Sequence, residues 1–304
     1  MNKTMPHLKD KCYGGAWSIH DLGTVDFRMK MITHLSEMKL GDGNINDFLR
    51  DYREWIRIVD FKNFPHMNFS HGTTETFDKF YLRHLDKPRL RLLKGEYFYH
   101  QIMARNYFKD FDWLDEKPIE KGDVVVMSCP FSDTGNIPKD FSKILEQCEN
   151  LNVPVMLDLA YINISDIEYL DLNYKCIETV TTSLSKVFPV EHDRIGIRFE
   201  REIYDDTMVA YNQNRYINLL SVNLGHQFIR KYKRTWLYDN YKQLQSITCQ
   251  RLNLTPSNTV IFGIDYDDQY SEYNRGGSTN RLCFSKLWDN RIKNSGYFNN
   301  NMEK

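Results

Sequence analysis

Short apolar runs alternate with helical patterns over the middle of the chain, and this alternation predicts the fold class. Apolar positions recur at helical spacing over 97–108 and 138–151, the second with a proline at its start. Strands that alternate with helices of about 10–15 residues are typical of a mostly parallel sheet with helices on its faces. We therefore predict an α/β fold. The runs predicted as strands are 89–95, 123–128, 153–160, 176–183 and 195–200.

Helical patterns dominate on both sides of this central region. Residues 44–58 carry apolar positions at helical spacing, with Asn46 or Asp47 near the N-cap position. The segment 205–252 contains no proline and is predicted to be almost wholly helical. The last apolar runs, which we predict to be strands of a smaller α+β unit, are 258–264 and 280–285.

The charge balance and the apolar content exclude several classes of protein. The 304 residues include 40 Lys and Arg against 41 Asp and Glu, so the chain lacks the basic excess that general nucleic-acid binding needs. No apolar run approaches the roughly 18 residues that span a bilayer, and the start of the chain has no apolar signal region. We expect a globular protein that binds neither nucleic acid nor a membrane.

The six cysteines are scattered along the chain and include no Cys-x-x-Cys pair. This distribution is typical of reduced thiols, and it fits neither a disulfide framework nor a zinc site. We therefore predict a cytoplasmic protein without a metal site.

Charged residues end two of the predicted strands, where ligands bind in open α/β sheets. Asp158 closes one apolar strand, and a buried carboxylate is costly unless it is paired. A structural salt bridge would satisfy it, and so would a cationic ligand group such as a protonated ring nitrogen.

Lys186 ends another strand in a serine-rich turn, and Arg194 follows at an interval of 194 − 186 = 8 residues. A lysine that loses solvent near other positive charge has a lowered pKa, which favours Schiff-base chemistry. The arginine offers a fork of donors to a phosphate. A simple strand, turn and strand with charges on the turn is the alternative interpretation.

Three other turns carry weaker signals. Gly72-Thr73-Thr74 leads into a helix, so it is either a phosphate cradle or an ordinary helix cap. Tyr97 belongs to an aromatic cluster at a strand end, which packs in the core or covers a planar cofactor. Ser132 follows the valine-rich strand in a turn and offers a hydroxyl to a ligand.

Taken in order, these motifs resemble those of the pyridoxal phosphate-dependent aminotransferases of fold type I, the class I/II, aspartate-aminotransferase-like family. The resemblance covers roughly residues 66–200. The most specific elements are Asp-x-Ala-Tyr, which begins at Asp158, and Ser-x-Ser-Lys, which ends at Lys186. The interval from that lysine to Arg194 is also the family's own spacing.

The resemblance implies a three-layer fold type I transferase with a mostly parallel sheet and a reduced α+β small domain. Residues 1–55 would be an N-terminal segment that joins the small domain. Residues 56–205 would form the large cofactor-binding domain, and 206–304 would supply a long helix and the C-terminal small domain.

The resemblance also implies a role for each residue that would take part in catalysis. Lys186 would form a Schiff base with pyridoxal phosphate and later move the proton between substrate and cofactor. Asp158 would pair with the protonated pyridine nitrogen and keep the ring an electron sink. Tyr161 would donate a hydrogen bond to the phenolic oxygen of the ring.

The remaining matched residues would bind the cofactor or the substrate. Tyr97 would stack on the ring, with Phe98 and Tyr99 as substitutes, and Arg281 would clamp the α-carboxylate of an amino acid. The residues that would hold the cofactor at its phosphate end are Gly72, Thr73, Thr74, Ser183 and Arg194.

One motif departs from the family's pattern. The family has Asn-Pro-x-Asn-Pro-Thr-Gly where this chain has Cys-Pro-Phe-Ser-Asp-Thr-Gly. Ser132 therefore replaces an asparagine that contacts the phenolic oxygen, and Asp133 replaces a proline. Because the serine hydroxyl has a shorter reach, the contact to the ring changes and the reaction need not be simple transamination.

The function implied is the transfer of an amino group between an amino acid and a keto or aldehyde acceptor. A lyase, a decarboxylase or a synthase on the same fold is the alternative enzyme, and a non-catalytic relative is the alternative outside catalysis. A homodimer is also implied, with its active site at the subunit interface and donors around 214–225.

Overall fold

The computed structural model describes residues 8, 11–36, 44–57 and 61–289. The strands are β1 (His66–His71), β2 (Arg89–Leu92), β3 (Asp110–Trp113), β4 (Asp123–Ser128), β5 (Val155–Asp158), β6 (Ile177–Ser183), β7 (Ile195–Glu200), β8 (Thr255–Pro256), β9 (Phe262–Asp265) and β10 (Asn280–Cys283). The helices are α1 (Leu22–Ser36), α2 (Ile45–Ile56), α3 (Thr73–Arg83), α4 (Phe98–Tyr107), α5 (Phe141–Leu151), α6 (Thr207–Gln213), α7 (Leu219–Lys231), α8 (Trp236–Arg251) and α9 (Ser285–Trp288).

Seven of these strands form one sheet in the order β1-β7-β6-β5-β4-β2-β3. Five adjacent strands run parallel to one another, namely β6, β5, β4, β2 and β3. Strand β7 is antiparallel to both of its neighbours, β6 and β1. Every residue of β4, β5 and β7 is buried, since both faces of the sheet are covered by other elements. The prediction of an α/β fold with a mostly parallel sheet is confirmed.

The register of the sheet brings the predicted strand ends to one edge. Ser128 at the end of β4 pairs with Asp158 at the end of β5, and Asp158 pairs with Thr181 of β6. Ser183 ends β6 opposite Gly196 of β7. The turns that follow these strands therefore open on a common space.

Two helices begin at residues other than the predicted ones. Asn44 caps α2, because its side chain accepts the backbone N–H of Asp47 from an extended conformation; the predicted N-cap at Asn46 or Asp47 is wrong. The helix predicted from 138 begins at Phe141, since Asp140 adopts a left-handed conformation with φ of 59°.

The segment 206–251 contains three helices, so the long helix expected there is wrong. Asp206 caps α6 and Asn218 caps α7, each accepting a backbone N–H three residues later. Both are residues that favour helix starts, and the second interrupts the helical run. Gly225 of α7 lies against the ring of Phe48 in α2, where a Cβ would come within 3.2 Å of it.

The last strands form a separate antiparallel sheet in the order β10-β9-β8. The predicted strand 258–264 begins only at Phe262, because Thr259 turns to donate its N–H and its hydroxyl to the carbonyl of Gly135. The carbonyl of Tyr13 accepts the N–H of Cys283, which ties the N-terminal segment to this sheet. The division into domains at 55 and 205 stays a prediction.

None of the helices described here is both long enough and apolar enough to cross a membrane. All six cysteines are free thiols, and five of them are buried.

Candidate active site

A cavity of about 470 Å³ opens at the carboxyl ends of β4, β5 and β6. Gly72 does not line it, whereas every other residue predicted for the site does. Those residues are Thr73, Thr74, Tyr97, Ser132, Asp158, Tyr161, Ser183, Lys186, Arg194 and Arg281. Residues that are more than 200 positions apart in sequence therefore meet at one place.

The turn before α3 and the arginine before β7 form one cradle. Gly72 has φ of 78°, and a Cβ built on it would come within 2.1 Å of Arg194 Nη2. The same guanidinium nitrogen donates to the hydroxyl of Thr74 at 3.0 Å. Free N–H groups at the first turn of α3 beside a guanidinium suit a phosphate.

Lys186 follows β6 in a turn that its serines organise. Ser183 Oγ accepts the N–H of Ser185 at 2.9 Å and lies 2.8 Å from its hydroxyl. Lys186 is half-buried, its Nζ donates to the carbonyl of Ala16 at 2.5 Å, and it lies 5.9 Å from the centre of the Tyr161 ring. The amine therefore faces the cavity without a carboxylate partner among the described residues.

Asp158 is a buried carboxylate that needs a positive charge. Its Oδ1 accepts the N–H of Ala160 at 2.9 Å. Burial, reinforced by the negative charge of Glu96, raises its pKa to about 7, although Ala160 and Lys186 oppose the shift. In the described part of the chain, the imidazole within ion-pair range is His100, at 3.9 Å.

That imidazole does not supply the missing charge. His100 is fully buried, and burial lowers its pKa to about 3. It shares a hydrogen bond with the hydroxyl of Tyr81 through Nδ1. Among the described residues, no charged side chain therefore pairs with Asp158 in a structural salt bridge.

Sequence reasoning missed Glu96, which organises the wall beside Asp158. Its buried carboxylate accepts the N–H and the hydroxyl of Ser128, at 2.9 and 2.5 Å, and the N–H of Tyr97 at 2.9 Å. It ties the end of β4 to the start of α4. The signal available in the sequence was its position directly before Tyr97, the residue predicted to stack on the ring. The sequence does not show that the Glu96 carboxylate is buried.

Tyr97 and Phe98 line the cavity, whereas Tyr99 does not. Tyr97 caps α4 and lies stacked on Tyr99, with ring centres 6.3 Å apart. Tyr99 instead donates its hydroxyl to Asp78 at 2.6 Å. The geometry leaves Tyr97 and Phe98 as the aromatic rings able to cover a flat ligand from this strand end.

Ser132 is held by two arginines, one of which sequence reasoning missed. Arg275 Nη2 donates to its hydroxyl at 3.2 Å, and Arg281 Nη1 donates to its carbonyl at 2.5 Å. Arg281 also reaches the carbonyl of Gly14 at 3.3 Å. Arg275 precedes a Gly-Gly turn rather than ending a strand, so no pattern in the sequence singled it out.

Asp133, which replaces a proline of the family's motif, ties the two sheets together. Its Oδ2 accepts the hydroxyl of Thr279 at 3.0 Å, and it packs against Gly95 and Gly277, neither of which has room for a Cβ. Burial raises the pKa of Asp133 to about 6.

The N-terminal segment closes one side of the cavity. Trp17 lines the cavity, whereas His20 contacts Glu191 Oε1 at 2.6 Å behind it. Ser18 donates to the other oxygen of the same carboxylate at 2.8 Å. Among the described residues, no group of His, Cys, Asp and Glu side chains is arranged to hold a metal ion.

No family model matches the sequence, and no curated protein matches it. The structure is nevertheless similar to solved enzymes over nearly the whole chain. A pyridoxal phosphate-bound C–S lyase from Staphylococcus hominis shares 14% identity over 96% of this chain and 90% of its own, with a TM-score of 0.68.

Two other solved structures show the same likeness. Histidinol-phosphate aminotransferase from Clostridium acetobutylicum shares 15% identity over 94% of this chain and 96% of its own, with a TM-score of 0.63. L-threonine-O-3-phosphate decarboxylase from Porphyromonas gingivalis shares 15% identity over 96% of this chain and 99% of its own, also with a TM-score of 0.63. This chain therefore has the fold of the pyridoxal phosphate-dependent enzymes of fold type I.

Proposed function

We propose that this chain is a pyridoxal phosphate-dependent enzyme, and specifically an aminotransferase that moves an amino group between an amino acid and a keto or aldehyde acceptor. One observation carries the proposal. Lys186, Asp158 and Arg194 meet at the wall of one cavity, from turns at three neighbouring strands. An amine, a buried carboxylate and a phosphate-binding cation are the three groups that this cofactor requires.

The residues present fit the cofactor. Gly72 lets the Arg194 guanidinium lie flat against the turn before α3, which builds an anion cradle from side chain and backbone. Asp158 is a buried carboxyl group without a cationic partner among the described side chains, and a protonated pyridine nitrogen would supply that charge. When bound, pyridoxal phosphate supplies an aldehyde that reacts with amines and a ring that withdraws electrons.

Each residue then has a defined task. With the cofactor bound, Lys186 would present the amine and carry a proton to and from the substrate Cα, and Asp158 would hold the ring nitrogen by its negative charge. Tyr97 would cover the ring, and Tyr161 would donate its hydroxyl to the phenolic oxygen. Arg281 binds the α-carboxylate of the amino acid.

A second candidate class shares all of these binding contacts. A C–S lyase and a decarboxylase are among the similar solved structures. Ser132 Oγ, which replaces the family's asparagine, accepts a hydrogen bond from Arg275, so its surroundings differ from those of an asparagine that contacts the ring. A lyase, decarboxylase or synthase is therefore the alternative, because the same cofactor site supports each of these reactions.

The first test is the visible spectrum of protein purified with pyridoxal phosphate and freed of excess cofactor. We expect an absorption band of a lysine-bound cofactor in the wild type, and its loss in Lys186→Ala. Borohydride reduction should then fix the cofactor's mass on the peptide that contains Lys186. Lys231→Ala is the matched control, because its amine lies over Phe27, outside the cavity. A wild type that takes up no cofactor would contradict the proposal.

The second test separates the two classes of reaction. Single amino acids are added to the loaded protein without any acceptor. An aminotransferase leaves the cofactor as pyridoxamine phosphate and releases a keto acid. Release of ammonia, a thiol or carbon dioxide with the pyridoxal form regenerated would favour the alternative.

We also propose that the protein is a cytoplasmic homodimer. Tyr216 and Leu220 are largely exposed within the predicted donor region 214–225, and Tyr211 beside it is half-exposed. Exposed apolar side chains grouped in this way suit a subunit interface, and the free thiols suit a reducing compartment. Analytical ultracentrifugation tests the dimer, and a monomer that turns over substrate would overturn it.

A further inference from the structure

Two buried arginines of the cavity wall lack the carboxylate partner that Arg91 and Arg198 have. Arg91 pairs with Asp123 at 2.7 Å, and Arg198 pairs with Glu200 at 3.0 Å. Arg275 and Arg281 are 6% and 1% exposed, yet no described carboxylate lies within ion-pair range of either. Burying a charge without a partner is costly, so these two guanidinium groups are poised for an anion.

Most donors of Arg275 are uncommitted. A guanidinium has five N–H donors, and the described residues give the Arg275 side chain one hydrogen bond, to the hydroxyl of Ser132. Its Nε is buried without an acceptor. Arg281 differs, because it already donates to two backbone carbonyls, those of Ser132 and Gly14.

The two groups share one region of the wall. Both contact Ser132, whereas Arg194 lies at the Gly72 turn and binds Thr74. A phosphate held by Arg194 therefore leaves Arg275 and Arg281 unpaired. Burial and the charge of Arg281 both lower the pKa of Arg275 to about 10, because each disfavours its charged form.

We propose that Arg275 is a specificity-determining residue that, together with Arg281, selects amino acids carrying a second anionic group. The inference rests on the proposed function, in which Arg281 takes the α-carboxylate. Arg275 then binds the second acidic group, either a carboxylate or a phosphate. The negative charges of Asp133 and Glu96 raise the pKa of Arg275, but neither carboxylate forms an ion pair with it.

The inference is tested by calorimetric titration of unreactive anions into the protein loaded with pyridoxal phosphate. Butyrate has one carboxylate, succinate has two, and 3-phosphonopropionate has a carboxylate and a phosphonate. We expect at least one of the two larger anions to bind about tenfold or more tightly than butyrate. If succinate binds more tightly, the second group of the substrate is a carboxylate. If 3-phosphonopropionate binds more tightly, it is a phosphate.

Variants then assign the preference to Arg275. Arg275→Gln should abolish it while changing butyrate affinity by less than about twofold, and Arg275→Lys should keep part of it. Arg234→Gln is the matched control, because Arg234 is also buried and its guanidinium donates to backbone carbonyls away from the cavity. Arg275→Met, which keeps a long side chain without the charge, replaces Arg275→Gln if circular dichroism shows that the glutamine variant does not fold.

Two results would overturn the inference. One is a wild type that binds all three anions equally. The other is an Arg275→Gln variant that retains the preference or loses butyrate and succinate affinity alike. The visible band of the bound cofactor, recorded on the same samples, separates this failure from that of the proposed function, since a band without anion preference rejects only the role of Arg275.

Discussion

Gly72 and Arg194 lie in such close contact that the glycine has no room for a side chain. A Cβ on Gly72 would come within 2.1 Å of Arg194 Nη2 and within 2.6 Å of its central carbon. The contact joins a turn at the start of α3 to the residue that precedes β7. Because 122 positions separate the two residues, their cooperation is a property of the folded sheet.

Gly72→Ala should weaken cofactor binding by displacing that guanidinium. Alanine at this position must also adopt φ of 78° and ψ of 170°, a backbone conformation that is essentially restricted to glycine and costs other residues about 1–3 kcal/mol. We expect the dissociation constant for pyridoxal phosphate to rise by about tenfold or more, because a phosphate contact to arginine is lost.

The control for this change is Gly122→Ala, whose glycine has φ of 96° but no atom closer than 3.7 Å to the added methyl group. It also places an alanine at a positive φ, but away from the cavity. Fluorescence titration of cofactor into both variants measures the difference. Equal affinities would mean that the Gly72 contact does not serve the phosphate.

Asp158→Asn should change how stability depends on pH in the cofactor-free protein. Burial raises the Asp158 pKa from 3.8 to about 7, so between these values the folded state holds a proton that the unfolded chain releases. The free energy of unfolding therefore falls as pH rises through this window. Over this pH range, the free energy of unfolding of Asp158→Asn should fall by on the order of 3 kcal/mol less than that of the wild type.

Urea unfolding at pH 4, 5, 6 and 7 measures the effect for wild type and variant. Asp133 and Glu96 also have raised pKa values and contribute a fall of the same sign, so the difference between the proteins is the quantity to compare. The exposed Asp86 supplies a control as Asp86→Asn. Parallel stability curves for wild type and Asp158→Asn would contradict the raised pKa.

Tyr97→Ala should weaken cofactor binding, whereas Tyr97→Phe should retain it. The ring of Tyr97 lines the cavity, and a stacked aromatic pair contributes about 1 kcal/mol beyond its buried area, so we expect about a tenfold loss of affinity for alanine. Tyr169→Ala is the control, since that ring is largely exposed and does not line the cavity. A larger effect from Phe98→Ala would transfer the stacking role to Phe98.

Glu191→Ala should loosen the N-terminal segment over the cavity. Its carboxylate accepts the hydroxyl of Ser18 at 2.8 Å and contacts His20 Nε2 at 2.6 Å. Losing hydrogen bonds to a charged group costs about 1.5–3 kcal/mol, so amide hydrogen exchange over 14–20 should accelerate by about tenfold or more.

Hydrogen exchange with mass spectrometry measures this opening. Glu178→Ala is a matched control, because Glu178 also pairs with a histidine, His84 at 3.0 Å, on a different part of the surface. Unchanged exchange over 14–20 in Glu191→Ala would show that other contacts hold the segment.

Most strands and helices over 89–200 were predictable, because apolar spacing follows secondary structure wherever both faces of a sheet are buried; the short edge strand β3 was missed. The positions of Asp158 and Lys186 at strand ends followed from the same pattern. Their convergence on one cavity was then expected from the parallel sheet, since carboxyl ends of parallel strands meet at one edge.

Helix boundaries were less predictable, as Asp206 and Asn218 show. Their side chains cap new helices inside a segment that looks continuously helical, because apolar spacing persists across a short interruption. The start of β9 shifted for a related reason: Thr259 donates to Gly135, a partner 124 positions away in sequence.

Tertiary structure alone decided which polar groups are buried and which groups they pair with. Nothing in the sequence distinguishes three polar residues that the folded chain buries around the cavity, namely Glu96, His100 and Arg275. The sequence determined the strand ends and the residue types that stand there. Burial and pairing of charges depend on distances between segments far apart in the chain, so the charge balance of the cavity was decided by the fold.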